Sequence, residues 1–263
     1  MIKTLRSAPP PGRFVHPLVM VSSAPLVPSL TLQPLFPLAL GMVQLASDPL
    51  DTALQMQAIR QLQGEADSNP DPGCAWTGDL NGVWQLQRHP TFVSLINLLT
   101  GYAGAYLEGL GFERSRLALH LQRCWPVVSE AGQVVGRHHH PNAHLSAVYY
   151  LNGDGSGRSG CLRFFPPRQA NELVPGLAVG HDGPLRADAA ATAQWNAPWF
   201  DVAPRAGLLL LFPASVEHAV LENDDPDDSR FSISLDLVLT APKAQDETPP
   251  EYLAPHPGDW QAL

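Results

Sequence analysis

The stretch from Arg137 to Leu151 constrains this chain more than any other. Three consecutive histidines, His138, His139 and His140, run through Pro141 and Asn142 into an apolar, aromatic segment, Leu145-Ser146-Ala147-Val148-Tyr149-Tyr150-Leu151. Side chains alternate faces along extended backbone, so His138 and His140 leave the same face and can converge on one ion, while His139 points away. A further imidazole, His218, lies in a second strand-like run, Leu208 to Val220. A closed barrel would carry such a distant ligand to the first two. The triplet alone is also compatible with a solvated surface patch, but it is internal and flows into a strand, unlike a tag. His139 and His144 are weaker ligand candidates.

Downstream of His218, the segment Ser229-Arg230-Phe231-Ser232-Ile233-Ser234-Leu235-Asp236-Leu237 reads as a strand with Arg230 and Ser232 on one face. A guanidinium fork beside a hydroxyl is suited to a carboxylate. The other reading of Arg230 is a surface cation paired with the acids of Glu222 to Asp228.

In this order the pieces resemble the Fe(II)- and 2-oxoglutarate-dependent oxygenases, in the prolyl-4-hydroxylase-like branch with its bacterial relatives, over roughly residues 117 to 239. The resemblance rests on Arg137 to Asn142, Val148 to Asn152, Ser159-Gly160-Cys161-Leu162-Arg163-Phe164-Phe165-Pro166, Pro204-Arg205-Ala206-Gly207 leading to Leu211-Phe212-Pro213, then His218 and Arg230-Phe231-Ser232. It implies a double-stranded β-helix, a jelly-roll or cupin-like barrel, mainly β with N-terminal helices. It also implies Fe(II), 2-oxoglutarate as cosubstrate and O2, with His138 and His218 as metal ligands. Tyr150, Arg230 and Ser232 would meet the distal carboxylate of 2-oxoglutarate. Trp125 is the nearest match to an aromatic residue beside the cosubstrate, or else a packing tryptophan. The implied activity is dioxygenase chemistry, hydroxylating an amino acid, a peptidyl residue or a small metabolite with release of succinate and CO2.

One position departs from the family pattern. The usual His-x-Asp or His-x-Glu gives two imidazoles and a carboxylate, and here His140 stands in the carboxylate position. Either His140 coordinates, making a three-histidine site, or it stands off the metal and leaves a place for water or halide. Coordination is favoured, since imidazole is a competent iron ligand and Pro141 limits how the chain turns away. Two rival functions stay open: a three-histidine cupin-type dioxygenase that does not use 2-oxoglutarate, and a non-catalytic metal-binding barrel.

Net charge is −9, and the sixteen Lys and Arg residues form no run, which argues against nucleic acid or an anionic membrane as partner. The expected partner is a small-molecule or peptidyl substrate, with oligomeric state open and a homodimer among the options. Cys74, Cys124 and Cys161 show no CxxC spacing and read as reduced thiols of a cytoplasmic protein. No apolar stretch approaches the ~18 residues of a membrane span.

Residues 1–30 read as a proline-rich arm and 31–241 as a single oxygenase domain, with 35–112 as helical support and 113–241 as jelly-roll core. Residues 242–263 read as a tail packed through Tyr252 and Trp260. Leu35 to Leu45 suits an edge strand, where Pro37 is tolerated. Ser47-Asp48-Pro49 opens a helix over 48–65 with Leu50, Leu54, Ile59 and Leu62 as its apolar stripe, and a second helix is expected from Pro90 to Leu110. The irregular segment between Pro166 and Trp199 is expected to select substrate.

Overall fold

The computed structural model describes residues 37–66, 71–167, 199–243 and 253–263. The arm at 1–30, most of the segment between Pro166 and Trp199, and Tyr252 fall outside these. From Ala39 onward the chain forms one compact unit.

Its frame is two antiparallel sheets. The larger contains β1 (Gly41–Gln44), β2 (Trp76–Thr77), β3 (Ala118–Ser129), β5 (Leu145–Tyr150), β8 (Leu208–Pro213) and β10 (Arg230–Thr240), in the order β1-β8-β5-β10-β3-β2. The smaller contains β4 (Val135–His138), β6 (Leu162–Phe164), β7 (Phe200–Val202) and β9 (His218–Val220), in the order β4-β9-β6-β7. This is the expected double-stranded β-helix, with β1 at the edge of the larger sheet.

Period-2 alternation divides each central strand between two environments. On β10, Phe231, Ile233, Leu235 and Leu237 join one hydrophobic cluster with Leu145, Ala147 and Tyr149 of β5 and Leu209 and Leu211 of β8. The helices cover that face through Ile59, Phe92, Ile96, Leu99 and Ala103. The opposite face looks into the barrel. There Val148, Tyr150, Leu162, Phe164, Leu210 and Phe212 make a second cluster between the sheets, and β10 presents Arg230, Ser232, Ser234 and Asp236. Register brings Ser232 opposite Tyr150, Ser234 opposite Val148, and Asp236 opposite Ser146.

The first helix, α1 (Pro49–Glu65), starts where expected, with the Asp48 side chain accepting from the Leu50 and Asp51 amides. Its expected stripe is corrected in part. Ile59 is buried and Leu62 packs against the same cluster, but Leu50 and Leu54 are 70% and 51% exposed. Nine residues separate Leu50 from Ile59, and at ~3.6 residues per turn that places them about half a turn out of phase. The second helix, α2 (Val93–Gly109), follows a 3-10 turn at Pro90–Phe92 and buries Ile96, Leu99, Ala103 and Leu107. A second correction concerns the tail: Trp260 is 57% exposed and its Nε1 donates to Pro255 O within the tail. The tail is held instead by the Ala241 amide donating to Ala254 O and by the His120–His256 ring contact. Among the described residues no helix is long and apolar enough to cross a membrane.

Candidate metal centre

His138 ends β4 and His218 begins β9, and the two are direct cross-strand neighbours. His140 lies just beyond β4, where its amide donates to Ala214 O at 2.9 Å and fixes the turn after the strand. The three rings gather with centroid separations of 4.3 Å (His138–His218), 5.1 Å (His140–His218) and 5.3 Å (His138–His140). His139 is exposed and stands outside the cluster, at the rim of the cavity. His144 is engaged elsewhere, its Nδ1 accepting from the Leu239 amide.

The hydrogen bonds decide which nitrogen each ring offers. His138 Nδ1 lies 2.7 Å from Gly136 O and His218 Nδ1 lies 2.8 Å from Val216 O. A carbonyl only accepts, so both Nδ1 atoms carry the proton and donate. His140 Nδ1 lies 2.5 Å from Asp236 Oδ1, and a carboxylate likewise accepts. Three Nε2 lone pairs are therefore left bare. One ligand atom from each ring lies within 4.8 Å of the other two. Burial pushes the His138 imidazole below its ordinary range, and burial aided by the charge of His138 takes His218 down to about 3. Both rings are thus neutral near pH 7, the form in which imidazole binds a metal. This donor set fits a divalent transition metal such as iron.

The rings border a cavity of about 460 Å³, whose lining also includes Trp125, Tyr150, Arg230 and Ser232. Arg230 is 1% exposed. Its Nη1 donates to Ser159 O at 3.0 Å and to Gly160 O at 2.8 Å, while buried Nε and Nη2 have no partner among the described residues. The reading of Arg230 as a cation paired with the acids of Glu222 to Asp228 is thereby replaced: its bonds go to backbone carbonyls. Leaving charged N–H groups buried and unpaired is costly, so two such donors beside a cavity mark the seat of an anion. Tyr150 is fully buried nearby, and burial lifts its phenol to about 12, keeping it a hydroxyl donor. Ser232, opposite Tyr150, adds a hydroxyl to the same wall. Trp125 sits opposite Ser234, with its ring 5.6 Å from that of His140 and the Arg123 guanidinium 4.9 Å away. It therefore stands on the imidazole side of the cavity.

Sequence reasoning missed Asp236, Ser146 and Arg123. Asp236 is 0% exposed; its Oδ1 accepts from His140 Nδ1 and from Ser146 Oγ at 2.9 Å, and its Oδ2 accepts from Arg123 Nη2 at 2.5 Å. Burial alone would raise this carboxyl, but the bonds from His140, Arg123 and Ser146 hold it below the usual carboxylate range. The signal was present in the alternation that paired Arg230 with Ser232, since Asp236 is the fourth member of that row.

A family model described as "Putative 2OG-Fe(II) oxygenase" matches residues 123–236, the span that contains His138, His140, His218 and Arg230. Among curated proteins none matches the chain. Similar solved structures include the non-heme alpha ketoglutarate dependent epimerase SnoN from nogalamycin biosynthesis, at 18% identity and a TM-score of 0.53, covering 84% of this chain and 92% of that one. The carbocyclase SnoK from the same biosynthesis is 16% identical with a TM-score of 0.53, covering 78% and 82%. SnoN in complex with Fe3+, alpha ketoglutarate and nogalamycin RO gives 18% and 0.51. At these identities the likeness concerns the fold, and it is the barrel described above. Residues 123–236, which carry His138, His140, His218 and Arg230, are thus similar to the 2OG-Fe(II) oxygenases in sequence, on the barrel fold shared with SnoN and SnoK.

Proposed function

We propose that the protein hydroxylates an amino acid, a peptidyl residue or a small metabolite, with His138, His140 and His218 holding Fe(II) and with Arg230, Tyr150 and Ser232 holding the distal carboxylate of 2-oxoglutarate. One observation carries this reading: three imidazoles with bare Nε2 atoms and a buried guanidinium with two unpartnered donors border the same cavity. The bound metal and cosubstrate supply the oxidising chemistry, in which O2 is consumed and 2-oxoglutarate becomes succinate and CO2. The protein's residues orient and shield. Arg230 and Tyr150, both buried, give a carboxylate charge-assisted and neutral donors at the inner end of the cavity, where low dielectric strengthens such bonds. The apolar wall of Val148, Leu162 and Val220 excludes competing solvent. SnoN and SnoK carry the names of an epimerase and a carbocyclase, so product analysis must accompany any turnover assay.

Replacing Arg230 by Ala tests the assignment. Loss of two charge-assisted bonds at ~1.5–3 kcal/mol each should weaken 2-oxoglutarate binding by about 100-fold or more, measured by calorimetry on the Fe(II)-loaded protein without O2. Iron affinity should be unchanged. Equal 2-oxoglutarate affinity in both proteins would favour the three-histidine dioxygenase, in which Arg230 meets a carboxylate of the substrate instead.

A further inference from the structure

Replacing the family's carboxylate ligand by His140 removes a negative charge from the set of groups facing the metal. The structure returns a carboxylate one step behind. Asp236, wholly buried, lies 2.5 Å from Nδ1 of His140, and Ser146 Oγ braces the same oxygen. Its other oxygen is pinned by Arg123, which also reaches Asp79 Oδ2 at 3.3 Å on the 3-10 turn Gly78–Asn81. Holding a carboxylate with no exposure costs several kcal/mol unless its oxygens are satisfied. An ion pair with Arg123 alone would need only one oxygen, yet the second is turned onto the imidazole. By contrast, Nδ1 of His138 and of His218 donate to neutral backbone carbonyls. Of the three rings, only the one standing where the family carries a carboxylate is backed by one.

We infer that Asp236 is a positioning residue of the metal centre, donating its negative charge through the Nδ1–H of His140 so that the three-histidine set binds a divalent ion as a two-histidine, one-carboxylate set does. A carboxylate behind a ligating imidazole fixes the ring and makes its Nε2 a stronger donor. This rests on the reading that His138, His140 and His218 hold the metal.

The test uses Co(II) as probe, followed by calorimetry and by paramagnetic proton NMR on the full chain. The wild type should bind one Co(II) and display three exchangeable, strongly shifted ring N–H resonances. In Asp236→Asn, which keeps an acceptor but removes the charge, Co(II) affinity should fall by about 10- to 100-fold. One N–H resonance should move, while the two bonded to Gly136 and Val216 stay. In a His140→Ala background the same substitution should cost less than threefold, because the path from Asp236 to the metal is gone. Wild-type affinity in Asp236→Asn, or three unmoved resonances there, would overturn the inference while leaving the metal site standing. If that variant does not fold, the wild-type spectrum decides: only two ring N–H resonances would mean that His140 is not a ligand and would overturn it. A wild type that binds no Co(II) would remove the metal reading and the inference together.

Discussion

At the scale of single residues, the site is specified by what each polar group is already bonded to. Gly136 O, Val216 O and Asp236 Oδ1 each force a proton onto Nδ1 and so turn three Nε2 lone pairs inward. Arg230 shows the complementary case, where bonds to Ser159 O and Gly160 O aim a guanidinium whose other donors remain for a ligand. Tyr150 adds a neutral donor, so Tyr150→Phe should weaken 2-oxoglutarate binding by ~0.5–1.5 kcal/mol, roughly 2- to 13-fold, with thermal stability nearly unchanged. An unaltered dissociation constant would place the phenol off the cosubstrate. His138, His140, His218, Arg230 and Ser232 were legible in the sequence because two strand periods and one arginine suffice to suggest them. The place of Asp236 in that row was legible too, but its role was not, because it depends on which side chain lies across from it. That is set by the pairing of β10 with β3 and β5, and by the turn that carries His140.

At the scale of elements, the turn before β6 and the helix α1 give the sharpest contrasts. Gly160 has φ +84°, and a Cβ there would lie 2.2 Å from Leu221 O and 3.0 Å from Arg230 Nη1. The backbone must shift to admit it, and the left-handed conformation alone costs ~1–2 kcal/mol for other residues. Gly160→Ala should therefore lower the melting temperature and weaken 2-oxoglutarate binding by displacing the carbonyls that aim Arg230. Metal affinity should survive, and a variant with wild-type cosubstrate affinity would contradict the role given to this turn. On α1, Ile59→Ala should cost ~2–5 kcal/mol by opening a hole under the larger sheet, whereas Leu50→Ser should stay within about 0.5 kcal/mol. Denaturant unfolding separates the two outcomes. Capping at Asp48 and the length of α1 were readable from local chemistry. The face it buries was not, because the apolar positions do not share one phase and tertiary packing chose Ile59 over Leu50 and Leu54.

At the scale of the whole molecule, the barrel uses one face of β10 for the helix-covered core and the other for chemistry. The order of motifs along the chain made that architecture legible, since distant segments with strand periodicity carry ligands that only a closed barrel joins. Because the imidazole cluster and Arg230 border one cavity, they should serve one ligand pair. An anaerobic titration of metal-free protein with Fe(II), then with 2-oxoglutarate, tests this most directly through the visible charge-transfer absorption of an iron-chelated keto acid. Growth of that band to saturation near one equivalent, and its loss at the same concentrations in Arg230→Ala, is the predicted result. Iron binding without any band, or a band of equal strength in Arg230→Ala, would mean that the imidazoles and Arg230 do not share one ligand pair.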